Sequence, residues 1–159
     1  YLSDDKGRVT GDAGTLKSPG GGVTQTTVDA GAQEAGRLLS FDGRGTGKVY
    51  FMGDPADLSR QTTGELAVGL SYRIDGAVTG PVWLAVGRDP FIQQKIDISG
   101  VLRADGRFHV LKVRLNCFAE AADMKQIGMP FSLSAEGPLS LTYDAVRLMP
   151  NEGDAICPR

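Results

Sequence analysis

The sequence predicts an all-β fold, a two-layered sandwich of the jelly-roll kind with one or two short helical turns. Three observations carry that expectation. Several segments alternate apolar and polar residues with a period of two, the signature of strands with one face on a core. Glycine (22 residues) and proline (8) punctuate the 159-residue chain at turn-forming positions. Only one stretch, AEAADMKQI at 119–127, has helical character. Many short strands with a single helical candidate pack as sheet on sheet.

Each element follows in order. Residues 1–27 are rich in Gly, Ser, Thr and Asp and poor in large apolar side chains, so they read as a linker or arm from a preceding domain. The sandwich is expected over 28–159. Its first strand runs from Arg37 to Phe41, FDGRGTGK is a turn, and VYFM follows. In ELAVGLSYRID, Leu66, Val68, Leu70, Tyr72 and Ile74 share one face, and Ala67, Gly69, Ser71, Arg73 and Asp75 the other. GPVWLAVG repeats the pattern with Val82, Leu84 and Val86, and FHVLKVRLNCF with Leu111, Val113, Leu115 and Cys117. The turns DGAVTG, RADGR and AEGP separate these runs. The helical stretch carries the chain from one sheet to the other, and Pro130 blocks its continuation and restarts a strand at Phe131. In the final run, LSLTYDAVRL, the apolar phase shifts between Tyr143 and Val146, which predicts a β-bulge.

Charge and composition narrow the function. With 17 basic and 19 acidic residues spread along the chain, no basic stripe for nucleic acid is present. No apolar run approaches the roughly 20 residues of a membrane span. The opening YLSDDKGRV has no signal-peptide core, so a signal would lie upstream.

Candidate chemical motifs are sparse. GRGTGK has Asp42 and Val49 where a phosphate-binding loop needs Gly and Ser or Thr, and a strand follows it rather than a helix. His109 is the sole histidine and sits at a strand start, which supports no Ser–His–Asp arrangement. The acids Asp42, Asp54, Asp57, Asp89 and Asp105 occupy turns, where Asx chemistry accounts for them. No catalytic residue is assigned. Tyr72 is on the apolar phase of its strand and belongs to the core. Trp83 is on the opposite phase from Val82 and Leu84, which leaves it either exposed for sugar stacking or against a second layer. Asp29, Gln33, Glu34 and Asp144 raise a structural calcium, with Glu34 and Asp144 as its main carboxylates, or else a turn-capping set. Cys117 and Cys157 are either two free thiols or a bridge tying the C-terminal tail to the domain, the latter favoured by export.

The string LKVRLNCFAEAADMKQIGMPFSLSAEGPLSLTYDAVRL resembles the end of the C-terminal, galactose-binding-like module of bacterial glycoside hydrolase family 3 exo-β-glucanases and β-glucosidases (1,4-β-D-glucan glucohydrolases). The matching positions are Leu115, Cys117, Phe118, Asp123, Pro130, Phe131, Gly137, Val146, Arg147 and Leu148. Upstream, SPGGG, VDAGAQEAGRLLSF and DLSRQTTGELAVGLSYRID follow the family's order, and Cys157 agrees, so the resemblance covers about residues 18–157. Two positions depart: Ala35 follows Glu34 where an acid is expected, and Phe41 stands in place of Trp. The resemblance implies a periplasmic or secreted parent that releases glucose from β-glucan ends by retaining hydrolysis, its catalytic residues lying in upstream domains. This chain would then be a non-catalytic accessory domain packed on those domains, lending a loop to the rim of the substrate site. The alternative is an independent carbohydrate-binding module for β-glucan oligosaccharides.

Overall fold

The computed structural model describes residues 1–159 apart from 12–14, 30–34, 55–56, 58–65, 91–92, 119–125, 151–152, 154 and 159. Among the described residues, twelve strands form two six-stranded sheets. The first has the order β2 (Gly7–Val9), β1 (Leu2–Asp4), β6 (Lys48–Phe51), β11 (Met129–Ala135), β8 (Val82–Gly87) and β9 (Gln93–Asp97). The second runs β10 (His109–Arg114), β7 (Leu66–Ile74), β12 (Pro138–Pro150), β5 (Ala35–Asp42), β4 (Val23–Asp29) and β3 (Thr15–Lys17). Strands within each sheet pair antiparallel throughout. The expected jelly-roll sandwich is the fold observed.

Alternation decides what enters the core. Val49, Leu84 and Leu133 of the first sheet meet Leu39, Leu70 and Leu141 of the second in one continuous cluster, all at or near zero exposure. Tyr72 belongs to it, as expected, and its hydroxyl accepts the Arg103 amide at 2.9 Å. The phase shift in the last strand is a bulge between Tyr143 and Ala145, where the register with β7 slips. That slip lets Tyr143 and Val146 both contact the core.

Two expectations are corrected, and one strand has no counterpart among them. Residues 1–27 are not an arm: they supply β1 to β3 and the start of β4, and both sheets use them. Leu2 is fully buried, yet strands of three residues carry too few apolar residues to show a period. The SPGGG turn is fixed in place because the Asp4 carboxylate accepts the Gly20 and Gly22 amides at 2.6 and 3.1 Å. Strand β9 was hidden in a polar sequence, QQKID, with Ile96 its one apolar contact to the core. The strand expected to run to Cys117 ends at Arg114. Leu115–Phe118 winds into a 3-10 turn that buries both Leu115 and Phe118, three positions apart. A second 3-10 turn spans Ser99–Val101. The helical candidate at 119–127 lies outside the described residues except for Gln126 and Ile127.

Cys117 and Cys157 are disulfide-bonded, with Cα atoms 5.7 Å apart. The bond holds the tail against β10, where Ile156 bridges Val113 in parallel. The Ile156 amide donates to Lys112 O, and the Arg114 amide to Ile156 O, both at 2.9 Å.

Candidate functional site

The outward face of the first sheet carries the most side-chain chemistry. With Val49, Leu84, Leu133 and Ile96 turned inward, alternation sends their neighbours outward. The register aligns Ser3, Lys48, Ser134, Trp83 and Asp97 across five strands in one rung. The next rung holds Tyr50, Ser132, Ala85 and Lys95. Lys48 and Trp83 are thus two strand spacings apart, about 10 Å, with Ser134 between them.

Trp83, the one tryptophan, is half-buried. Its indole N–H donates to Glu136 Oε1 at 3.2 Å, and the Lys95 ammonium lies 4.4 Å from its ring centroid. That cation–π contact covers one ring face. Tyr50 is buried although it points away from the main core, because Ala85, Met129 and the Tyr1 ring pack around it. The Tyr1 and Tyr50 rings stack at 5.2 Å and 15°. Arg8 closes the group: its Nη1 donates to the Tyr50 hydroxyl at 3.3 Å and its guanidinium lies 4.8 Å from the Tyr1 centroid. Beside these rings is a cleft of about 630 Å³ lined by residues including Ser3, Asp5, Arg8, Lys48, Tyr50 and Pro90. Burial depresses the Lys48 pKa, and the neighbouring Lys95 charge depresses it further. Of the acids of this face, Asp5 lines the cleft with Lys48, and two others are engaged elsewhere. Glu136 holds Trp83, and Asp97 Oδ1 accepts the Ser99 and Val82 amides at 2.9 and 3.3 Å. Among the described residues, no ion pair joins Lys48 or Lys95 to an acid.

The other expected sites stand apart from this face. Glu34 lies outside the described residues, as do Gln33 and the Asp29 side chain. Asp144 sits at the β12 bulge, its Oδ1 buried without a hydrogen-bond partner. The adjoining cavity, of about 450 Å³, also exposes Arg37 and Arg147, whose charges oppose a cation. No group of three or more metal-ligating side chains occurs among the described residues. The His109 Nε2–H donates to the Asp105 carboxylate, 2.9 Å from each oxygen, a pair beside Tyr72. GRGTGK is the turn between β5 and β6. Gly43 and Gly45 take positive φ there, and a Cβ on Gly47 would stand 2.6 Å from Gly22 O. Its glycines serve backbone packing rather than phosphate.

Sequence reasoning picked out Trp83 but missed Tyr1, Arg8, Lys48 and Lys95. The lysines alternate with the inward Val49 and Ile96, a signal visible along each strand. Which lysine lies near which ring depends on pairing register, and one strand's sequence does not carry that.

Comparison with known proteins fits this architecture. Among curated protein sequences, none matches the chain significantly. The structure is similar to the extra C-terminal domain (X) of the exo-1,3/1,4-β-glucanase ExoP from a Pseudoalteromonas species. The TM-score is 0.74 at 23% identity, covering 98% of this chain and 87% of that one. Against the crystal structure of ExoP itself the TM-score and identity are the same, and this chain spans 19% of that enzyme. It is also similar to the family 30 carbohydrate-binding module of the cellulosomal cellulase Cel9D-Cel44B of Clostridium thermocellum. There the TM-score is 0.68 at 9% identity, over 96% of this chain and 91% of that one. The model of the Exop_C family, described as galactose-binding domain-like, matches residues 1–148. With its described strands in two antiparallel sheets and a family match over nearly its whole length, the chain belongs to the Exop_C family of galactose-binding-like domains.

Proposed function

We propose that the chain is the non-catalytic accessory domain of an exported family 3 exo-β-glucanase or β-glucosidase, packed on the catalytic domains of the same polypeptide and bordering their substrate site. The family match over residues 1–148 is the observation that carries this reading. Chemistry supports it. A glycosidase needs two carboxyl groups flanking one bond, and at the richest face Glu136 is turned to Trp83 and Asp97 to backbone amides. The disulfide supports a periplasmic or secreted setting. The isolated chain is expected to release no p-nitrophenol from an aryl β-glucoside, while the parent enzyme does; turnover by the isolated chain would refute the reading.

A second reading, a β-glucan-binding module, is favoured by one feature: rings and hydrogen-bonding groups share the outward face of the first sheet. Affinity electrophoresis in mixed-linkage β-glucan tests it, retardation supporting binding. A structural calcium through Glu34 and Asp144 is weakened by the nearby Arg37 and Arg147. We expect a chelator to leave the Tm unchanged; a fall reversed by calcium would restore that site.

A further inference from the structure

Alternation fills the core side of a strand with apolar residues, and at one end of the sandwich that pattern breaks. Leu39 and Phe41 of β5 turn into the core. Arg37, two positions before Leu39 and on the same face, puts a charge where another apolar residue would stand. The register sets Arg37 opposite Tyr143 of β12, and the next residue, Asp144, is the extra one of the bulge. Both line the cavity of about 450 Å³, to which Phe51 of β6 adds a ring from the other sheet. Among the described residues, no acid pairs with Arg37 and no base with Asp144. The Asp144 Oδ1 is buried with no donor. Unpaired charged groups at the margin of a core cost free energy.

We propose that this cavity seats a neutral pyranose unit of a gluco-oligosaccharide, its hydroxyls between Arg37 and Asp144 and its carbon face toward Phe51 and Val146. The ligand class rests on the glucan-binding reading above; the seat is separate from the Trp83 face. The charges select the ligand. A cation would meet Arg37 and Arg147, and an anion would meet Asp144. A hydroxyl both donates and accepts, so neighbouring hydroxyls satisfy the guanidinium and the carboxylate together through charge-assisted bonds. Because Oδ1 is covered, the hydroxyl donates to Oδ2. The apolar part is present too. The Phe51 ring is held 5.1 Å from the Phe131 ring and 6.4 Å from that of Tyr143, while Phe51 and Val146 stay partly exposed. The volume lies within the range of small-ligand sites.

The test is isothermal titration of the intact chain with cellobiose, laminaribiose and, as a zwitterion, alanine, with Trp83 emission recorded on parallel samples. Arg37→Met and Asp144→Asn are run alongside, with circular dichroism checking that each folds. At least one disaccharide is expected to bind, and each substitution to weaken it about tenfold, the scale of one charge-assisted contact. Trp83 emission should not change, since the indole lies outside the cavity. Arg37→Met should keep or raise the urea midpoint, because an unpaired inward charge does not support the fold. A lowered midpoint would make Arg37 a structural residue and overturn the proposal. Disaccharide binding that survives both substitutions would also overturn it, and an accompanying change in Trp83 emission would put the sugar on the outward face, leaving the glucan-binding reading intact. Tighter binding of alanine than of either disaccharide would refute the ligand class. No heat from either disaccharide would remove the seat, and retardation in the β-glucan gel would still decide the wider reading on its own.

Discussion

The Asp4 carboxylate gathers three backbone amides, from Lys6, Gly20 and Gly22, and so joins the first hairpin to the SPGGG turn. Burial pushes its pKa up, but hydrogen bonds from the Ser18 hydroxyl and these amides outweigh that and hold it at about 2, against an ordinary 3.8. A carboxyl depressed on folding stabilises the fold fully above its unfolded pKa and loses that contribution as pH falls through the folded one. Acid unfolding curves of the wild type should therefore steepen from 3.8 toward 2, and Asp4→Asn should be less stable at neutral pH and flatter across that window. A parallel fall in both proteins would discount the role. Deeper in, the Tyr143 hydroxyl donates to Gln25 Oε1 at 3.2 Å, and both residues are buried. Tyr143→Phe leaves that oxygen unsatisfied and should cost about 1–2 kcal/mol. For a chain of this size the loss lowers Tm by roughly 3–6 °C. Adding Gln25→Leu should recover much of it, since the orphaned acceptor then disappears.

At the scale of single elements, the β5–β6 turn and the C-terminal strap make separate predictions. Gly47 passes so close to Gly22 that a Cβ would overlap its carbonyl. Backbone on both sides leaves nothing to swing away, so Gly47→Ala should destabilise by on the order of 2 kcal/mol, read from urea midpoints. A neutral result would mean that the two loops separate easily. The strap depends on a bond that closes 40 residues of chain. Chain-entropy arguments put such a closure at about 4 kcal/mol at most. Replacing both Cys117 and Cys157 by serine should lower stability by about 2–4 kcal/mol. It should also speed amide exchange at Ile156 and Arg114 more than at Leu70, deep in β7. Uniform acceleration would show that the tail is held by its ladder bonds alone.

Over the whole molecule, one core joins both sheets, so the sandwich should unfold as a unit. Leu84→Ala in the first sheet and Leu70→Ala in the second should each cost about 2–5 kcal/mol and shift one shared transition. Two separable transitions would contradict a common core. How much of this was legible in the sequence follows from how each part signals itself. Strands β7, β8 and β12 were plain, since a half-buried strand of six residues or more must alternate. The bulge at Tyr143 showed as a break in that phase. Strands β1 to β3 were silent because a three-residue strand anchored by a residue such as Leu2 has no period to detect. The outward face was half legible: Trp83 was out of phase with its neighbours, but Lys48 and Lys95 acquire meaning only when β11 and β8 set them around the same serines. Register is a property of pairs of segments far apart in the chain, and local reading cannot supply it.

The contact between Lys95 and the lone indole has a practical consequence. Because Trp83 is the chain's single tryptophan, its emission reports one location without ambiguity. An ammonium against the ring perturbs the excited state, so anything that lifts Lys95 away alters intensity or wavelength. The domain therefore carries an intrinsic optical probe at the face where ligands are expected, and titrations can be followed with no label attached.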